Sequence, residues 1–359
     1  MRFPAAAIGL AAVALAAACA PSVRSVDVVS AGAAEAVVPA PVDPPELSTT
    51  TTTTTAGTAT TVDAAEWVLL AGGDVLLDRS ERAGLDPFVH LRPTLAAADL
   101  AVVNVEMAIS DRGTAQEKEY VFRAPPSAAR TLARAGVDVG SLGNNHAGDY
   151  GHDALLDSVT HLRAAGVAPV GAGRDAAEAY APATFTIAGV RVAVLGASRV
   201  LPVASWAAGA APGIASAYDG ARLAEAVRAA AAVHDVVVVM IHWGVEGAAC
   251  PEVNQVRLGG ALVSAGATVV IGSHPHVLQP VVAVDGGLVA YSLGNFAWHA
   301  ASGSTAETGV LEVRFRGAAL DAHTFHPHVL DGHGAPVPAG DGASERIRAA
   351  ASRQCPVPA

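Results

Sequence analysis

Six side chains able to hold a metal stand at the ends of short apolar runs that lie far apart in the chain. They are Asp74, Glu106, Asn145, His242, His274 and His276. Two carboxylates, one amide and three imidazoles form a mixed nitrogen and oxygen set. No thiolate contributes, which argues against a structural cysteine-type zinc site. Six ligands exceed what one tetrahedral ion uses. Two divalent ions bridged by a carboxylate would use them all, and that arrangement activates water for in-line attack at phosphorus. One or two divalent ions are therefore expected, drawn from manganese, zinc, iron and magnesium. His146, beside Asn145, is placed to protonate a leaving oxygen. Asp149 is the candidate to orient that imidazole, and Glu246, just after His242, is a second candidate for moving protons.

Taken singly, each residue has an ordinary explanation. Asp74 follows Gly72-Gly73 as a turn residue would, Glu106 reads equally as a solvent-facing strand end, and Trp243 is a packing partner for a core His242. His274-Pro275-His276 is more specific. Alternate residues of an extended segment share one side, and proline keeps the residue before it extended. The chain nearly repeats the motif: Ser273-His274-Pro275-His276-Val277-Leu278 is echoed by Phe325-His326-Pro327-His328-Val329-Leu330. The second copy follows an alternating late strand with no glycine exit and reads as a decoy. A minor metal-affinity patch with His323 and His333 is the alternative.

The elements that must position these residues follow from hydrophobic period and punctuation. Strands are expected at 67–71, 100–105, 137–142, 167–170, 236–241 and 268–271. Hairpins are expected over 183–195 and 281–291, and two late strands over 310–315 and 320–325. Helices are expected at 88–98, 127–135, 153–165, 221–232 and 253–264. Strands alternating with helices predict a mixed α/β fold with covered sheets. Polar residues recur where buried strands end, which is where open α/β sheets place their ligands.

Ahead of this, Met1-Arg2 and the apolar stretch Phe3–Ala18 form a secretory signal, too short to span a bilayer as a mature helix, which takes about 20 apolar residues. Leu15-Ala16-Ala17-Ala18-Cys19 resembles a lipobox, with Ala16 where leucine usually stands. A lipid anchor at Cys19 is expected, and plain cleavage between alanines is the alternative. Residues 20–63, with Pro39, Pro41, Pro44, Pro45 and the run Thr49–Thr55, read as a disordered stalk. The folded domain is expected over 64–335, with a Gly/Pro-rich tail over 336–359. The chain has 359 residues, 52% hydrophobic and 15% charged, with a formal net charge of −11. Lys118 is its only lysine. So acidic a surface argues against nonspecific binding to nucleic acid or anionic lipid. In an oxidising compartment Cys250 and Cys355 form an even pair, and a disulfide between them is expected.

Seven motifs occur in a telling order: Gly73-Asp74-Val75-Leu76-Leu77-Asp78-Arg79, Asn104-Val105-Glu106, Phe122-Arg123-Ala124-Pro125, Asn144-Asn145-His146 with Asp149 and Gly151, His242-Trp243-Gly244 with Glu246, Gly272-Ser273-His274-Pro275-His276, and Ser292-Leu293-Gly294-Asn295-Phe296. Over roughly residues 65 to 330 the chain resembles the CapA family of capsule or poly-gamma-glutamate synthesis proteins, related to the calcineurin-like metallophosphatases. The resemblance implies a four-layer α/β/β/α sandwich with the site at the strand ends. It also implies an extracytoplasmic role beside capsule-synthesis machinery, acting on an anionic polymer or a phosphoester. Metallophosphatases open with an Asp and a His two residues apart; here Leu76 takes the histidine's place and Glu106 replaces the usual bridging Asp. Two readings stay open: a metal-dependent hydrolase, or a non-catalytic accessory lipoprotein that binds polymer and keeps a vestigial or structural metal site.

Overall fold

The computed structural model describes residues 64–202 and 205–356; the leader, the lipobox cysteine and the stalk lie outside the described residues. Two large sheets form the centre. In sheet one the order is Pro336–Pro338, Ala319–Leu330, Glu307–Arg316, Glu66–Val75, Leu100–Val105, Val139–Ser141 and Ala168–Val170, with Asn295–Ala297 paired separately to Glu66–Val75. In sheet two it is Leu278–Val284, Gly287–Leu293, Val269–Ser273, Val236–His242, Val190–Ser198 and Ala183–Ile187. Sheet two has a parallel middle with an antiparallel pair at each edge, whereas sheet one is antiparallel from Pro336–Pro338 to Glu66–Val75 and parallel from there to its Ala168–Val170 edge.

The strand sequences dictate the layering. In Val236–His242 every residue is buried, as a strand covered on both faces requires. Val236, Val238 and Met240 enter the apolar layer between the sheets, with Trp67, Leu69, Val102 and Val192. Val237, Val239 and Ile241 face the other way, onto Leu223, Val227 and Leu262 of the helices Gly220–Ala231 and Val253–Ser264. Sheet one behaves alike: Leu100 and Val102 point inward, while Ala101, Val103 and Val105 meet Leu132, Leu155 and Leu162 of the helices Ser127–Ala135 and Gly151–Ala165. The period of two along a strand thus generates four layers, helix, sheet, sheet, helix. This is the expected sandwich.

The expected helix at 88–98 contracts to Arg92–Ala96, because Phe88–Leu91 forms turns instead. Beyond residue 335, where a tail was expected, the chain carries the strand Pro336–Pro338 and the helix Asp341–Ala351. Ile347 and Ala350 of that helix pack against Leu278 of sheet two, an apolar stripe that the Gly/Pro content around it obscures. Cys250 and Cys355 are joined, with their Cα atoms 5.7 Å apart. Among the described residues no helix is long and apolar enough to cross a membrane.

The parallel strands Glu66–Val75, Leu100–Val105 and Val139–Ser141 end on one side, and so do Val236–His242, Val269–Ser273 and Gly287–Leu293. Their exits supply the site. Close packing there demands glycine: a Cβ on Gly73 would lie 1.9 Å from the Gly294 carbonyl oxygen, and one on Gly143 would lie 2.6 Å from the Ala197 amide.

Candidate metal centre

All six residues expected as ligands meet at these exits. Ligand atoms of Asp74, Glu106 and His242 lie within 4.8 Å of one another, as do those of Glu106, His274 and His276, so Glu106 is common to both groups. Asn145 joins them, its Oδ1 2.8 Å from His242 Nε2. His242 Nε2 is also 3.4 Å from Glu106 Oε1, and His276 Nε2 is 3.9 Å from the same oxygen. One nitrogen of each ring is held: His242 Nδ1 by Ser273 Oγ at 2.9 Å, and His276 Nδ1 by Asn295 Oδ1 at 2.8 Å, with Asp74 Oδ2 3.4 Å from the same nitrogen. Fixing one ring nitrogen leaves the other to face the centre, as metal-ligating imidazoles require.

Burial and charge act together here. Burial alone would raise Asp74, but hydrogen bonding and charge from His276, with His242 and the Asn104 amide, hold its carboxyl well below the usual range. Burial, then the neighbouring Asp74 charge, push Glu106 well above it. Burial, then His274, drive His242 well below an ordinary imidazole, and burial with His276 lowers His274 to about 4. His276 goes the other way: burial would lower it, but the Asp74 hydrogen bond and charge raise it. Among the six candidate ligands, the buried atoms Glu106 Oε1 and His274 Nδ1 find no hydrogen-bond partner. Orphaned acceptors are costly in a dry interior, and a divalent cation at this spot would satisfy both. The donor set fits such a metal.

The backbone at the histidine pair departs from the extended path that spacing suggested. His274 has φ 97° and His276 φ 56°, so their common aim comes from two positive-φ residues around Pro275 rather than from strand alternation. Non-glycine residues rarely adopt that region, and the strain of holding them there concentrates at functional sites. The second copy, His326-Pro327-His328, does lie in a regular strand, Ala319–Leu330. There His326 Nε2 bonds Glu312 at 2.7 Å and His328 Nδ1 donates to the His326 carbonyl at 2.9 Å. Among the described residues one metal-capable group includes His274 and His276 of the first copy, and neither includes a residue of the second.

His146 stands beside the centre, buried, with burial lowering its pKa against the opposing pull of Asp149. Its Nδ1 donates to Asp149 Oδ2 at 2.7 Å, and Phe122 covers its ring at 4.2 Å between centroids. A cavity of about 300 Å³ opens over His146 and His276, walled by Leu76, Arg79, Tyr120, Phe122, Trp298 and others. Glu246 is exposed at its edge and makes no side-chain hydrogen bond among the described residues.

Motif reading left several functional side chains without a role. Asn104 donates to Asp74 Oδ1 at 2.8 Å and reaches Glu106 Oε2 at 3.4 Å. Asn144 donates in turn to Asn104 Oδ1 and to the Val105 carbonyl, locking two strand exits together. Asn295 and Ser273 steady the imidazoles. All four sit inside the quoted motifs, so position marked them, but amide and hydroxyl chemistry did not distinguish ligand from support.

A model of the family described as "Bacterial capsule synthesis protein PGA_cap" matches residues 68–300. The chain is 30% identical over 257 residues to the capsule biosynthesis protein CapA of Bacillus anthracis, covering 68% of this chain and 62% of that protein, less than two thirds of its length. It is 28% identical over 272 residues to the PGA biosynthesis protein CapA of Bacillus subtilis, covering 71% of each. Among solved structures, a hypothetical protein from Thermus thermophilus superposes with a TM-score of 0.48 at 17% identity, over 72% of this chain and 98% of that one.

Proposed function

The chain belongs to the bacterial capsule synthesis protein family PGA_cap, and from that premise we propose that it is an extracytoplasmic, metal-dependent hydrolase of the phosphoesterase kind. It serves the synthesis, anchoring or export of a capsule or poly-gamma-glutamate-type polymer, beside the machinery that makes it. The observation that carries the chemistry is the cage of Asp74, Glu106, Asn145, His242, His274 and His276, with Glu106 Oε1 and His274 Nδ1 orphaned inside it. When bound there, a divalent metal would supply Lewis acidity toward a phosphoryl or carbonyl oxygen and lower the pKa of water. His146, tied to Asp149 through Nδ1, would carry the proton for the leaving oxygen on Nε2 in its imidazolium form, which the Asp149 carboxylate favours against burial. Phe122 covers the His146 ring and Trp298 packs edge-on against Phe122; the cavity above would take an anionic polymer end or a phosphoester.

One observation favours a second reading, in which the protein binds polymer without turning it over. Leu76 occupies the place of a histidine and lies buried in the cavity wall, which leaves one ion position short of a donor.

Metal analysis of the purified protein together with a panel of phosphomonoesters and phosphodiesters separates the two. Bound divalent metal with turnover, reduced at least ~100-fold in His276→Ala as expected for loss of a ligand, is the expected result. Bound metal with an inert panel supports the binding role. Undiminished turnover in His276→Ala would sink the hydrolase.

A further inference from the structure

Lys118 is the only lysine among 22 lysines and arginines, and its ammonium lies beside the candidate centre, against His146 and Asp149. Lys118 Nζ donates to the main-chain carbonyl of Asn145 at 2.9 Å and forms an ion pair with Asp149 Oδ1. It also lies 3.3 Å from His146 Nδ1. The other Asp149 oxygen, Oδ2, accepts from His146 Nδ1 and from the Phe122 amide, each at 2.7 Å. One buried carboxylate therefore receives the lysine, the imidazole and a main-chain amide.

The segment that delivers Lys118 is built for this. It runs between two short strands, Ala108–Ile109 and Arg123–Ala124, which pair with each other and pin its ends. Gln116 N donates to the Asp149 carbonyl at 2.8 Å, and Gln116 Nε2 donates to the Gly148 carbonyl at 3.0 Å. Gln116, Lys118, Tyr120 and Phe122 all address the 144–149 loop or the cavity above it, while Glu117 and Glu119 are exposed. The chain bends over 117–119, where Lys118 N donates to the Gln116 carbonyl at 3.0 Å, and this turn carries the lysine inward.

We propose that Lys118 is a positioning residue of the metal centre. It ties the carbonyl of Asn145 to the carboxylate of Asp149, so that the Asn145 amide and the His146 imidazole are presented to the centre as one unit. This rests on the roles given above to Asn145 and His146. A compact ammonium with three donors can reach a carbonyl and a carboxylate that diverge in direction, whereas a planar guanidinium fits a single fork. The chain uses arginine at every other basic position, and a mere counter-ion for Asp149 would have been equally served by one.

The test uses the full chain with Lys118→Met and Lys118→Arg, and reads hydrogen exchange, Mn2+ affinity and phosphoester kinetics. Residues 143–149 should exchange faster in Lys118→Met, while Val236–His242 stays unchanged. Mn2+ affinity should fall about 10–100-fold, as loss of a supporting partner does, and kcat should fall with KM nearly constant. Lys118→Arg should recover less than half of the affinity lost. Lys118→Cys alkylated with 2-bromoethylamine, with the native disulfide left intact, rebuilds the ammonium and should restore it. Unchanged exchange in Lys118→Met overturns the proposal, as does wild-type Mn2+ affinity in Lys118→Arg. If Lys118→Met does not fold, the arginine variant decides alone. If the wild type binds Mn2+ without turnover, the hydrolase reading fails and affinity still judges Lys118; if it binds none, hydrogen exchange does.

Discussion

At the scale of single residues, the proposed centre sets six candidate ligands against the leucine at position 76. Leu76 is 3% exposed and lines the cavity beside His276, so a side chain there already faces the right space. Leu76→His should raise bound divalent metal toward two ions per chain, read by elemental analysis after equilibrium dialysis. An unchanged stoichiometry would show that the gap at this position is not what limits occupancy. The six ligand candidates were legible because carboxylates and imidazoles at strand exits have few ordinary uses in combination. Asn104 and Asn295 were not: an amide after an apolar run is also common turn chemistry, and only their bonds to Asp74 and His276 reveal the support they give.

At the scale of elements, the loop Ser273–Val277 shows how a motif can be recognised for an incomplete reason. Spacing suggested an extended path; the backbone instead holds His274 and His276 at positive φ. Each such non-glycine residue costs on the order of 1–3 kcal/mol, offset here by the bonds of the surrounding strands. His274→Gly should therefore stabilise the metal-free protein by about 1 kcal/mol while weakening Mn2+ binding, a trade measured by urea unfolding with and without metal. Equal or lower stability of the metal-free variant would remove the strain argument. The helix Asp341–Ala351 carries the opposite lesson. Its apolar stripe is short, and Gly340 and Gly342 at its start dilute the signal that Ile347 and Ala350 become visible by packing.

At the scale of the whole molecule, a layered domain with its site at the strand exits is proposed to work outside the cell, held by a lipid at Cys19 and spaced by residues 20–63. The disulfide between Cys250 and Cys355 accords with an oxidising compartment. It also fixes the C-terminal segment against the loop that follows His242, where the Cys355 sulfur lies 4.0 Å from the Ala249 carbonyl. Cys19→Ser should move the expressed protein from the membrane fraction to the soluble exported fraction, followed by immunoblot after cell fractionation. Retention in the membrane fraction would rule out the lipid as the anchor.

The sequence by itself determined that the sheets are covered and where their strands end, because burial on both faces of a strand leaves a continuous β-branched run, and a run that stops at Asp, Glu, Asn or His is conspicuous; the four layers came with the family resemblance. It also indicated the ligand types, since nitrogen and oxygen donors without thiolates restrict the metal chemistry. Only the tertiary structure decided which groups share a carboxylate. Glu106 stands in both metal-capable groups, and Lys118, Asn145 and Asp149 meet across segments that no local pattern connects. Local periodicity reports which face of an element is buried; it carries no information on which distant exits the folded sheets bring within a hydrogen bond of one another.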